Sequence, residues 1–556
     1  MTALLALLPI LSVFVLLPVL RRPAVQAMTL SLLLTVALAL LHWQVSLPAV
    51  LASLAQGVLV ALSILYIVLG AMALFSVLQV SGAVEVMQRS FMGLTSDRRI
   101  QVILVTWLFG AFIEGAAGFG TPAAIAAPLL AALGFPALAA AALPLIGNST
   151  PVPFAAAGTP LLIGMRQGLS EGGSVSAALV PAVTAGGGMD AFLGQVGVQL
   201  TALDLLVGSL LPLVLAALMT RTFGARRSWR EGLEVWPFAL FAGLAYTVPA
   251  WAAAALTGPE FPGIVGGLAG LLLCVVAVRR GFLQPARPWD FAPRESWPPE
   301  WTGQPLPPLP PRCTPPLPTW QAWGPYLAVG ALLVLTRLDA LPLRGWLEAP
   351  QLGFSDLLGT GISQSLQPLY LPGFVFLVVT ACTALGYRLS PGQLRAAAQR
   401  TAHSLTGTAL TLLTALPLVF VFINSGPEFS ASSLPSMPLA LAAAAAGLLG
   451  PLYPLAAPVV GALGSFVAGN ATLSNVMFSL LQGSVAAQLG TSPQLLLALQ
   501  ASGAAAGNII CVAKVVAAAA VVGLSGREGQ LMRLALPPVL YLLGAAGLLG
   551  LLLSWR

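Results

Sequence analysis

Residues 51–80 contain no Asp, Glu, Lys or Arg, and the run exceeds the roughly 20 residues that a helix needs to cross a bilayer. Similar apolar stretches recur near 2–20, 26–43, 100–132, 134–165, 199–220, 233–255, 262–279, 322–337, 369–387, 404–424, 436–452, 455–489, 493–523 and 535–553. Only 7% of the chain is charged and 58% is hydrophobic, too little charge to cover a water-facing surface. The expected fold class is an all-α polytopic membrane protein with about 12–14 transmembrane segments, held in the cytoplasmic (inner) membrane.

The net charge of +7 does not point to nucleic acid. The arginines sit in small groups at segment ends: Arg21-Arg22, Arg98-Arg99, Arg226-Arg227 with Arg230, and Arg279-Arg280. That is the bias of cytoplasmic loops. Arg21-Arg22 follows the first apolar run instead of preceding it, so this run reads as a retained helix with its C-terminal end in the cytoplasm. The four cysteines are too far apart in sequence to suggest a disulfide framework or a metal site.

Residues 285–318 stand apart: thirteen of the 34 are proline, and their arginines are balanced by acids. They read as an extended hydrophilic tether on the cytoplasmic side. One transporter domain is expected over 1–556, with a first half at 1–284, the Pro-rich loop at 285–320 and a second half at 321–556. An internal echo supports two pseudo-symmetric halves. Gly110–Gly115 resembles Gly464–Gly469, Leu133-Gly134 matches Leu489-Gly490, and Gly147-Asn148 matches Gly507-Asn508. Paired, interrupted apolar segments in two halves are the best sequence pointer to a transporter binding site. Their relative orientation cannot be fixed by counting loops.

Four stretches break the apolar runs: Gly115–Pro122, Asn148–Pro153, Gly469–Asn475 and Gly503–Asn508. Irregular backbone at membrane depth is tolerated only where protein or water covers it, so the breaks predict re-entrant or broken helices around a central, partly wet cavity. A helix that restarts after such a break points free N–H groups at the cavity and attracts an anion. Gly115, Gly118, Gly120 and Thr121 belong to the first break, and Asn148, Ser149 and Thr150 to the second. Asn470, Thr472, Ser474, Asn475 and Asn508 supply polar side chains in the second half. All are candidate substrate-binding residues. Ionisable groups inside spans are costly and are functional candidates by default. Glu114 sits at the first break. Lys514, the chain's only lysine, sits in "CVAKVVAAAAVV"; it either faces the cavity or snorkels to an interface. There is no Walker loop, and His42 and His403 lie far from the breaks, so a membrane-embedded enzyme is the weaker reading. No cofactor and no metal are expected.

The runs "FIEGAAGFGTPAAIAAPLLAALGF" (112–135), "NSTPVPFAAAGTP" (148–160), "WREGLEVWP" (229–237), "GPEFP" (258–262), "GSFVAGNATLSNVMFSLLQ" (464–482) and "AGNIICVAKVVAAAAVVGLSGRE" (506–528) resemble the L-lactate permease family. The resemblance implies a secondary transporter of lactate, often also of glycolate, coupled to protons and related to the wider ion-transporter superfamily. Lys514 joins the binding residues as a counter-charge for the carboxylate, and Glu114 is the expected proton carrier. The chain departs from the family pattern at Cys511–Lys514, which leaves the exact substrate and the coupling ion open. Sodium-coupled uptake of another small organic anion is the alternative. Expected partners are the small anion, the coupling proton and the lipid bilayer; assembly into a homo-oligomer stays open.

Overall fold

The computed structural model describes the chain except residues 1, 17–19, 21–23, 90–92, 119–120, 172–173, 304–316, 338–341, 521, 525–526 and 556. In lipid every backbone N–H and C=O must find a partner within the protein, and the apolar runs accordingly fold as helices. Among the described residues, eight helices are long and apolar enough to cross a bilayer. A ninth arises if the bent pair Ala137–Gly147 and Val152–Gly168 is one span. Four shorter apolar helices accompany them: Thr2–Val13, Val25–Leu41, Pro372–Gly386 and Ala409–Ile423. Described strands are confined to two short antiparallel pairs, Ser170–Glu171 with Ser174–Val175 and Leu352–Phe354 with Gln364–Leu366. The protein is an all-α polytopic membrane protein.

The four interrupted runs form two helical hairpins and two broken helices. The first hairpin has legs Arg98–Ala117 and Thr121–Ala132, and the broken span Ala137–Gly147/Val152–Gly168, bent by 66°, follows it. The second hairpin has legs Tyr453–Ala468 and Ala471–Leu489, followed by Pro493–Ile509 and Val512–Ala520. The sequence echo falls on matching landmarks. Gly115 sits in the last turn of one first leg and Gly469 caps the other; Gly134 (φ 91°) and Gly490 (φ 65°) turn the chain after the second legs; Asn148 and Asn508 mark the breaks that follow.

The two hairpins enter from opposite faces. Both ends of the first lie together, where the Arg98 guanidinium donates to the Leu133 carbonyl. The same face holds Arg226, Glu231, Glu234, Arg287 and Asp290. The second hairpin turns at the other face, where Gln494 donates to Gln195 at 3.0 Å near the start of Met189–Leu206. Because each hairpin penetrates from its own side, the tips meet in the interior, and the site lies there.

One buried cation organises the arginine-rich face. Arg99 is fully buried; it pairs with Asp97 at 2.7 Å and Glu234 at 3.2 Å and donates to the carbonyls of Glu231 and Arg287. It thus pins the root of the first hairpin to two loops. The reading of 285–318 as a free tether is corrected for its first part. Trp289 donates its backbone N–H to Asp97 and its indole N–H to Glu231, and Trp301 is buried edge-on against Phe223. Aromatic residues spaced among the prolines supply the apolar contact that charge balance and proline content did not reveal. Residues 304–316 lie outside the described part. Removing one partner of a buried ion pair strands the other charge, so Arg99→Gln should destabilise the protein by roughly 3–5 kcal/mol. A thermal melt of the detergent-purified protein reads this as a large drop in Tm, and an unchanged Tm would contradict the pinning role.

Candidate functional site

Close backbone packing explains the glycines around Glu114. A side chain at Gly115 would place its Cβ 2.6 Å from the carbonyl carbon of Gly263, in the helix Pro262–Arg279, so the two backbones cross in direct contact. Gly118 closes the first leg by donating to the Glu114 carbonyl at 2.8 Å. It then takes φ 67°, a left-handed conformation that favours glycine, with Ala156 packed against it. The Glu114 carboxyl is consequently 1% exposed at the hairpin tip.

Its partner comes from the other end of the chain. Lys514 Nζ lies 3.6 Å from Glu114 Oε1 and the lysine side chain is 11% exposed, so it points inward and does not snorkel. Lys514 occupies the first turn of Val512–Ala520, where Val515 N–H bonds back to the Cys511 carbonyl and the preceding N–H groups begin the helix. The Cys511 thiol reaches the Gly469 carbonyl at 3.0 Å and ties this break to the second hairpin tip. At that tip Asn470 Oδ1 caps the leg Ala471–Leu489 by accepting from Leu473 N–H at 2.9 Å. The ammonium thus faces the carboxylate, and the starts of two helices lie at the same cavity.

The central cavity is bordered by Glu114, Asn470, Thr472, Asn508 and Lys514, together with Val152, Ala155, Thr159, Pro160 and Ala471. It has about 20 Å³ of free space, room for about one water. That space is too small for an organic anion. Thr159 also borders a vestibule of about 1630 Å³ that opens on the face opposite the arginines.

The remaining sequence candidates are placed as follows. Asn475 is buried next to the cavity and its amide donates to the Pro160 carbonyl at 3.0 Å. Ser474 points into the second hairpin, donating to Gly461 O and accepting from Gln500, and does not border the cavity. Asn148, Ser149 and Thr150 are buried at their break and are not part of the lining. Gly115 and Gly118 act through backbone packing. Gly120 and the side chain of Thr121 lie outside the described residues. Several oxygens have no hydrogen-bond partner among the described residues: Oδ1 of Asn148, Asn475 and Asn508, Ser149 Oγ and Thr150 Oγ1.

The sequence reading missed Thr159 and the turn before it. Ala156, Ala157 and Gly158 are three successive left-handed residues (φ 44°, 55° and 75°), and the Thr159 hydroxyl braces them by donating to the Ala156 carbonyl at 2.7 Å. Strained backbone of this kind clusters at functional sites. A signal was present: Gly-Thr-Pro occurs at 120–122 and again at 158–160.

Opposed helical hairpins, broken helices and a buried ion pair at their meeting point are the architecture expected of a membrane transporter. A sequence model described as L-lactate permease matches residues 2–555, and the chain belongs to that family. It is therefore a multi-pass transporter of the cell membrane and not an enzyme. The L-lactate permease of Salmonella typhimurium is 28% identical, the alignment covering 96% of this chain and 92% of that protein. The Bacillus subtilis L-lactate permease is 27% identical, with 98% and 94% covered. The glycolate permease GlcA of Escherichia coli is 29% identical, with 100% and 96% covered. Among solved structures, the YdaH transporter of Alcanivorax borkumensis aligns with a TM-score of 0.39 and 18% identity over 88% of this chain and 85% of that one.

Removing either member of the central pair should cost far more than removing both. Lys514→Met removes the cation that faces a buried carboxylate and should lose roughly 3–5 kcal/mol, whereas Lys514→Met with Glu114→Gln should recover most of it. Additive losses in thermal melts of the three variants would show that the two groups do not interact.

Proposed function

We propose that the protein carries lactate, and by the same chemistry glycolate, across the cytoplasmic membrane in symport with a proton. The single observation that carries this reading is the buried Glu114–Lys514 pair at the meeting point of two helix N-termini. A 2-hydroxy monocarboxylate brings one negative charge and one hydroxyl. Its carboxylate competes with Glu114 for Lys514 and for the free N–H groups of the two helix starts. Thr159, Thr472 and Asn508 offer partners to the hydroxyl. Once displaced from Lys514, Glu114 is a buried carboxylate without its cation, and protonation relieves that cost. Substrate and proton then enter together, and their joint transfer moves no net charge across the membrane potential. The names of the relatives, L-lactate permease and glycolate permease, support the same substrate class.

In this reading the chain divides at the loop 285–320, with one hairpin and one broken span in each half, and the arginine-rich face lies in the cytoplasm. The opposite face supports that orientation. Around the vestibule and its rim it carries Arg166 and Arg344 against Glu171, Asp190, Glu260, Glu348, Asp356 and Glu428. The vestibule then opens outward.

A second reading is favoured by one observation, the partnerless oxygens of Asn148, Ser149, Thr150, Asn475 and Asn508. Buried acceptors left over around three breaks suit a small cation, which would make sodium the coupling ion. Uptake driven by an imposed pH gradient in sodium-free proteoliposomes separates the two.

Glu114→Gln tests the proton role. Gln keeps the shape of a protonated Glu but cannot release a proton. Uptake driven by a pH gradient should collapse while exchange of internal for external lactate survives. Equal loss of both activities, or of neither, would assign Glu114 a purely structural task.

A further inference from the structure

An anion reaches the central cavity through the vestibule, and the fixed charges there do not simply attract it. The lining carries Arg166 and Arg344 against Asp190, Glu260 and Glu348. Both guanidiniums converge on one carboxylate. Arg166 Nη2 donates to Asp190 Oδ1, and Arg344 Nη2 lies 3.9 Å from Asp190 Oδ2. The three residues come from three elements: the end of the first broken span, the helix Leu343–Glu348 and the first turn of Met189–Leu206. Each arginine has a second anchor. Arg166 Nε donates to the Leu162 carbonyl at 3.1 Å, and Arg344 Nε bonds Glu348 at 2.9 Å while its guanidinium lies over the Tyr370 ring.

We infer that Asp190 stands in for the substrate, and that Arg166 and Arg344 form an entrance subsite for a small monocarboxylate on its way to Thr159 and the central cavity. This rests on the anion-transport reading above. A carboxylate of the substrate offers the same two oxygens that Asp190 uses, one to each guanidinium. Asp190 can leave at little cost, because it is 69% exposed and remains in the first turn of a helix that favours negative charge. The arginines hold their places through Leu162, Glu348 and Tyr370 when it does. The exchange swaps one exposed ion pair for another, so the subsite is weak. Weak binding suits a station that must release its anion inward. Arg166 also lies on the chain segment that begins at Thr159 and Pro160 of the central cavity, so a shift at the central break is felt at the entrance.

The test compares half-saturation constants for L-lactate in proteoliposomes, measured for influx through the vestibule face and for efflux from the opposite face. Arg344→Gln should raise the influx constant and Asp190→Asn should lower it, each by about two- to fivefold. The efflux constant should stay fixed in both variants, and Arg344→Lys should restore part of the loss. Influx constants unmoved in both variants, or influx and efflux constants shifting together, would overturn the subsite. Normal wild-type uptake with unmoved variants would sink the subsite alone and leave the transport reading standing. Absence of any wild-type monocarboxylate uptake would sink both.

Discussion

The structure depends on two charges that could not be buried separately. A lone carboxylate or ammonium at membrane depth is expensive enough to exclude most ionisable side chains from spans. Glu114 and Lys514 sit there because each neutralises the other across 3.6 Å. They stand about 400 positions apart, on the first hairpin and the second broken span, so their contact requires four interrupted segments to meet at one point. The close backbone crossing at Gly115 and Gly263, the cap at Asn470 and the Cys511–Gly469 contact all hold those segments to that point.

Ion pairs buried in this way are poor devices for stability, since an apolar pair of the same volume serves as well or better. Their retention suits a task in which the pairing must be broken and remade. In the proposed mechanism a substrate carboxylate takes Glu114's place on Lys514, and in the proposed entrance subsite it takes Asp190's place on Arg166 and Arg344. At both places one of the protein's own carboxylates pairs with the cations: Glu114 with Lys514, and Asp190 with Arg166 and Arg344. The cavity, with room for about one water, is the closed form of such a site.

Much of this was legible in the sequence. Helical fold, membrane class and the existence of a central site followed from the apolar runs and their breaks, because lipid permits few alternatives. The landmarks shared by the two hairpins were visible as Gly110–Gly115 against Gly464–Gly469, although their opposed orientation was not: re-entrant segments return to the side they left, so counting crossings fails. Glu114 and Lys514 stood out as costly, but their pairing is a long-range contact with no local signature. Ser474 and Asn148–Thr150 were polar residues in the right neighbourhoods; Ser474 bonds to Gly461 and Gln500, and none of the four borders the closed cavity. Thr159 was overlooked because Ala156–Gly158 reads as ordinary apolar helix until its left-handed geometry is seen. The packing of 285–303 was hidden by proline content, which masks aromatic anchors such as Trp289 and Trp301.

The central claim is the proposal that the substrate anion takes Glu114's place on Lys514 and that Glu114 then takes up a proton from water. Infrared difference spectroscopy of the reconstituted protein, with and without L-lactate, observes that carboxyl directly. The account predicts a protonated-carboxyl band that appears on lactate addition in the wild type and is missing in Glu114→Gln. A lactate-induced spectrum with no such band, or with a band that persists in Glu114→Gln, would contradict it.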